Sequence, residues 1–176
     1  RVDRGAASNR CGRRLGERVR RLLEETGRVR LATGKVEIGQ GVLTALAQIA
    51  AEELDVAPQR LRIVSGETPA SPSEGFTSGS NSIAVSGSSI RLACAEVRAL
   101  FLAHVARELA CPVEALAIED GRFLRTGRPI GQDYWSMAAE VDLARPATGA
   151  ALPKPPPSYR IVGQNLPRLD LADKVR

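Results

Sequence analysis

The spacing of apolar residues changes several times along this chain, and each change marks an element. Val29–Thr33 (VRLAT) alternates apolar and polar positions and predicts a strand that ends at Gly34. Gly34–Gly41 is punctuated by glycine and holds a short extended piece, Val36–Ile38. From Val42 the period lengthens: Leu43, Leu46, Ala47, Ala50 and Leu54 recur at three- and four-residue steps, one face of an amphipathic helix, with Pro58 beyond its end. Leu61–Val64 (LRIV) alternates again and predicts a second strand. Ile90, Cys94, Val97, Phe101, Val105 and Leu109 form the stripe of a long helix. Gly87 weakens its beginning, so the helix is placed from Ser88. Leu116–Glu119 and Arg122–Leu124 flank Asp120-Gly121, a hairpin turn signal. A third, short helix is expected near Asp133, with Trp135, Ala138 and Val141 on one side. A short strand is expected at Tyr159–Val162. The order strand, helix, strand, long helix, hairpin, short helix predicts an α+β fold with helices packed on a small sheet.

Composition adds boundaries to this plan. Glu67–Asn81 (ETPASPSEGFTSGSN) is rich in Ser, Gly, Pro and Thr, and loops of this length inside a domain are usually functional or disordered. After Leu143 the residues Pro146, Pro153, Pro155, Pro156 and Pro157 mark an extended linker. The expected organisation is a flexible basic arm at 1–27, an α+β segment at 28–143, and a Pro-rich linker at 144–176 that leads into a missing domain. Only six of the 176 residues are aromatic, so the core falls to Ala, Leu, Val and Ile.

Charge is concentrated at one end. Residues 1–30 hold ten arginines against four acidic residues, whereas the whole chain carries +5, so the rest is close to neutral. An arginine arm can bind phosphates, but no aromatic residue lies within it to stack on bases and no DNA-binding pattern follows. No apolar run approaches the roughly 18 residues of a membrane span. Arg13-Arg14 and Arg20-Arg21 lack the apolar region of an export signal, so the cytoplasm is the expected compartment. Cys11, Cys94 and Cys111 form no CxxC pair and read as reduced thiols. The single histidine, His104, falls in the long helical segment and reads as structural. No residue set predicts a catalytic unit or a metal site.

The chemistry lies in two glycine-rich loops, each directly before a helix. These are Gly39-Gln40-Gly41 and Thr77-Ser78-Gly79-Ser80-Asn81-Ser82. A helix start leaves backbone N–H groups without partners and carries a partial positive charge, which suits an anion. Glycine lets a ligand approach the backbone, Ser80 and Ser82 add hydroxyls, and Gln40 adds an amide. The same residues could equally be helix caps and turns. Neither loop is a P-loop or a G-x-G-x-x-G fingerprint.

Several stretches, in this order and at this spacing, resemble the molybdenum-binding large subunits of the xanthine dehydrogenase and aldehyde oxidase family. The likeness is greatest to the isoquinoline 1-oxidoreductase and nicotinate dehydrogenase type. They are Gly34–Leu54 (GKVEIGQGVLTALAQIAAEEL), Leu61–Thr68 (LRIVSGET), Gly75–Ile83 (GFTSGSNSI), Glu119-Asp120-Gly121 and Tyr159–Val175 (YRIVGQNLPRLDLADKV). The resemblance implies that Gly39, Gln40, Gly41, Gly79, Ser80 and Ser82 contact a molybdopterin cofactor, in its cytosine dinucleotide form. It also implies hydroxylation of N-heterocycles or aldehydes with water as oxygen source, with [2Fe-2S] clusters on a small partner subunit. The family's catalytic glutamate and the glycine loop beside its metal have no match here; Glu74 and Glu119 read as solvated side chains. The expectation is therefore an N-terminal piece of such a subunit, inactive alone and completed by the remainder of the large subunit. The alternatives are a stand-alone remnant domain for binding or interaction without molybdenum, and a nucleic-acid binder acting through the arginine arm.

Overall fold

The computed structural model describes residues 23–24, 26–67 and 70–175, so the arginine-rich stretch at 1–22, with Cys11 and the expectation of flexibility there, lies outside the described residues. The first strand, β1 (Leu23–Glu24), turns through Gly27 and pairs antiparallel with β2 (Arg28–Thr33). From β2 the chain passes through the first glycine loop into helix α1 (Val42–Leu54), then returns as β3 (Leu61–Ser65), parallel to β2 from Val29↔Leu61 to Thr33↔Ser65. A parallel pair needs such a crossover, and the helix covers the sheet. Leu46, Ala47, Ala50 and Leu54, the face expected from their spacing, are all buried.

The second glycine loop leads into a single π-helical stretch, Ser82–Gly87, continuous with helix α2 (Ser88–Glu108). Gly87 has a packing reason. A Cβ there would lie 3.1 Å from Ile49 Cδ1, so glycine lets α2 cross α1 closely. The stripe Ile90, Cys94, Val97, Phe101 and Val105 is buried, and Leu109 packs against the core from its edge.

A second three-stranded sheet follows: β4 (Leu116–Glu119), β5 (Arg122–Arg125) and β6 (Arg128–Asp133), all antiparallel. Asp120 and Gly121 have φ of 47° and 79°, the two positive values that a type I′ hairpin turn requires. The Asp120 carboxylate binds the Arg60 guanidinium with two 2.7 Å bonds and accepts from the Ala57 amide at 2.9 Å. This turn therefore fastens the second sheet to the first unit. Beside it, four of the six aromatics gather: Tyr134 meets the edges of Phe101 at 4.8 Å and Phe123 at 5.4 Å, and Trp135 adjoins Tyr134 at 6.4 Å.

Two expectations fail here. No α-helix forms near Asp133; the chain runs through successive turns, with Met137 N–H bonded to Asp133 O but Ala138 and Glu140 bonded three residues back. The Asp133 carboxylate takes the Ser136 amide at 2.8 Å, and Trp135 swings out to donate its indole N–H to Arg28 O. Local side-chain bonds thus compete with the helical ladder. Tyr159–Val162 is not a strand. The N–H groups of Arg160, Ile161 and Val162 all converge on Glu52 Oε2 at 2.9, 2.6 and 3.0 Å, whereas a strand would point them alternately.

The proline-rich tail is held throughout by acids on the two helices. Glu96 takes Thr148 and Gly149, Glu53 takes the Lys154 amide, and Glu52 takes 160–162. Thr44, Gln48 and Glu52, at four-residue steps on α1, all bond the tail, so one polar stripe of the helix is its track.

This arrangement has a pH signature. Burial would push the Glu52 carboxyl up, but the three backbone N–H groups and Lys154 outweigh it and hold the carboxyl below its ordinary value. Its contribution is therefore present above the ordinary value of about 4.3 and is lost as pH falls through the lower folded value. The amides of 160–162 should shift together in an acid titration followed by NMR. Glu52→Gln should release them at neutral pH at a cost of about 2 kcal/mol.

Candidate functional site

The two glycine loops meet between β2 and the segment before the π turn. Gly34 permits the approach: a Cβ there would lie 2.1 Å from Pro72 O. Thr33 Oγ1 and Gly34 N–H donate to Glu74 Oε2 at 2.7 and 2.9 Å. Glu74, expected to be solvated, is instead half-buried and ties one loop to the other. The Lys35 side chain is buried, and its ammonium donates to the carbonyls of Glu74 and Phe76 at 2.9 and 2.8 Å. Val36 N–H donates to Thr77 Oγ1 at 3.0 Å, and Val36 O accepts from Gln40 Nε2 at 3.2 Å. Gln40 and Thr77, one from each loop, thus grip the same residue.

In the first loop Gly39 and Gly41 have φ of 107° and 73°, and open space lies where a Cβ would project from either. The anion site expected at this helix start is already filled. Glu37 takes the N–H groups of Gly39, Gly41 and Leu43 at 2.9, 2.7 and 3.3 Å. Burial alone would raise its carboxyl, but these three bonds outweigh it and hold the carboxyl below its ordinary value. Gln40 closes on its own loop, since its Oε1 accepts from Ile38 N–H at 2.7 Å. The amides of Gly39, Gly41 and Leu43 are thus taken within the chain. Sequence reasoning misses Glu37; the available signal is an acid two residues before Gly-Gln-Gly.

The second loop differs. Gly79 and Ser80 both have positive φ, 60° and 58°, and Ser80 lies exposed. The hydroxyls of Ser80 and Ser82 make no hydrogen bond among the described residues, and no side chain caps the helix that follows. The capping role open to these serines is thus not taken. Their oxygens and the opening turn of the helix remain for a polar or anionic ligand. A positive φ at a non-glycine residue stores strain of a kind common at binding sites. Exposed Ile38, Phe76, Ile83 and Val85 surround the two loops.

Elsewhere, His104, Glu108 and Glu140 bring three possible ligand atoms within 4.8 Å of one another. Arg107 donates to His104 Nδ1 at 2.9 Å, which turns the Nε2 proton toward the carboxylates, and the group is a hydrogen-bonded cluster. Cys94 is buried and its thiol is pushed up to about 12, first by burial and then by Glu53. No described helix is long and apolar enough to cross a membrane.

Known proteins share much of this chain. Residues 5–153 match the molybdopterin cofactor-binding domain family. Over 134 residues the chain is 34% identical to a nicotinate dehydrogenase subunit of Pseudomonas putida strain KT2440; the match takes in 76% of this chain and 11% of that protein. Among solved structures, the Cu,Mo-CO dehydrogenase in its carbon monoxide reduced state superposes with a TM-score of 0.52 at 30% identity, over 61% of this chain and 14% of that one. The chain thus spans about a tenth of the length of the curated relative.

Proposed function

The chain belongs to the molybdopterin cofactor-binding domain family of molybdenum hydroxylases, and from that premise we propose that its two glycine loops form one wall of the cofactor site. The observation that carries this reading is the junction at Val36, where Gln40 and Thr77 lock the loops side by side. The donor sets divide the work. Ser80, Ser82 and the helix start behind them suit phosphate oxygens of a molybdopterin cytosine dinucleotide. Gly39, Gln40 and Gly41, with the glycine amides held by Glu37, suit the polar edge of the ring system; Gly79 gives the second loop its turn. Redox chemistry, with water as oxygen source, would come from the bound group.

The chain's own residues bind and orient. The hydroxylation of N-heterocycles or aldehydes would be carried by the remainder of a large subunit, with a small subunit carrying [2Fe-2S] clusters. The exposed apolar residues around the loops suit cover by that remainder. Alone, the chain turns over no substrate.

The test is the double change Ser80→Ala, Ser82→Ala in the intact subunit. Neither hydroxyl makes a hydrogen bond among the described residues, so the melting temperature should stay within a degree or two while molybdenum and cytidine content per subunit fall severalfold. Gln40→Ala is the less clean probe, since it also removes two bonds within its own loop. Unchanged molybdenum in the double variant would reject the assignment, and an unsubstituted subunit that holds no molybdenum would favour the remnant domain.

A further inference from the structure

We propose that Arg168 is a positioning residue for the first glycine loop, so that docking of the C-terminal segment sets the form in which Gly39–Gly41 meets a ligand. The ligand part of this statement rests on the cofactor reading above; the link between tail and loop does not.

The loop has little to hold it. Gly39 and Gly41 carry no side chain, and the internal restraints are Glu37 and Gln40. Arg168 supplies an external one from 129 residues away in sequence. Its Nη1 donates to Gly39 O at 2.9 Å, and its Nη2 lies 3.5 Å from Glu37 Oε1. One guanidinium therefore touches both the loop carbonyl and the carboxylate that gathers the loop amides. A planar fork suits this double contact, which a point charge could not reproduce.

Arg168 is itself aimed. Asp170 takes its Nε at 3.0 Å and its Nη2 at 2.8 Å, and Lys174 pairs with Asp170 from the next turn. Beside it, Leu169 N–H donates to Thr44 Oγ1 at 3.0 Å in the first turn of α1. Gln48 bonds the carbonyls of Ile161 and Gln164, and Glu52 holds 160–162. Thr44, Gln48 and Glu52 thus lay the tail along the helix in one register, and that register ends with Arg168 over the loop. A tail displaced along the helix would take the guanidinium away from both partners.

The experiment is amide hydrogen exchange in the purified protein. In Arg168→Ala the amides of Gly39, Gly41 and Leu43 should exchange at least tenfold faster, while those of Ala50 and Ala51 in the core of α1 keep their rates. Arg168→Lys should restore protection only in part. Asp170→Asn, which loosens the fork and leaves its charge, should show the same pattern more weakly and serves if Arg168→Ala lowers global stability. Molybdenum content of the intact subunit should fall in Arg168→Ala. Faster loop exchange with molybdenum unchanged in both Arg168→Ala and the Ser80/Ser82 double variant would reject the cofactor reading and support the link. Unchanged exchange at all three loop amides would overturn the link whatever the metal content.

Discussion

Replacing Gly121 by alanine should lower the melting temperature by about 5–15 °C. Two costs combine. Gly121 has φ of 79°, where an L side chain loses about 1–2 kcal/mol. An added Cβ would also lie 2.7 and 2.8 Å from two ring carbons of Trp135. That ring has nowhere easy to go: its indole N–H holds Arg28 O at 3.1 Å, and the Arg60 guanidinium lies 4.7 Å from its centroid. Overpacking of this kind costs about 1–3 kcal/mol, and each kcal/mol is worth about 2–4 °C in a chain of this size. Gly127→Ala is the control. It has nearly the same φ, 78°, but open space around the added methyl, so it isolates the backbone cost. Equal losses in the two variants would refute the steric account. The Gly121→Ala, Trp135→Ala double variant should recover part of the difference, which thermal melts can read directly.

The second large effect is expected at Glu53. Its side chain is 1% exposed and binds Arg91 at 3.1 Å, Arg98 at 3.0 Å and the Lys154 amide at 3.1 Å. Glu53→Ala leaves Arg98, only 14% exposed, without its carboxylate and orphans a tail amide. Breaking a buried pair from one side costs about 3–5 kcal/mol. Glu53→Gln keeps the shape and one acceptor, so it should cost less. Urea unfolding checks both: the midpoint should drop with an unchanged slope. A loss under about 1 kcal/mol for the alanine variant would show that water replaces the carboxylate there.

The parts of the fold that announced themselves are those built from local periods. The buried faces of α1 and α2 follow their apolar spacing, and Asp120-Gly121 marks its hairpin through the φ values only such a pair adopts readily. The third strand of that sheet stayed hidden because Pro129 and Gly131 break the alternation that marks a strand. Around Asp133 the apolar residues do reach the core, but it is Tyr134, Met137 and Val141 that are buried, on turns shaped by Asp133 and Ser136. Of the candidate site, the two loops were visible as glycine punctuation before helices. What fills and braces them was not. Lys35, Glu74 and Arg168 act on backbone groups far along the chain, and a side chain bonded to a distant backbone group leaves no repeat in the sequence; Glu37 acts nearby, and its one mark is an acid two residues before Gly-Gln-Gly.

The acids on the two helices have a consequence for where this polypeptide can be divided. Glu52, Glu53 and Glu96 are each at most 6% exposed; Glu52 and Glu96 are satisfied by the segment 148–162, and Glu53 shares its carboxylate between Arg91, Arg98 and the Lys154 amide of that segment. A chain ending at Leu143 would keep every helix and strand that faces the core, yet it would uncover the carboxylates of Glu52 and Glu96, whose partners had left, and strip Glu53 of its tail amide. Buried carboxylates left without donors cost several kcal/mol, about 1–3 kcal/mol for each unsatisfied group, and would favour partial opening there. The smallest unit that stands by itself is therefore drawn by charge, and its edge lies well beyond the last buried apolar residue.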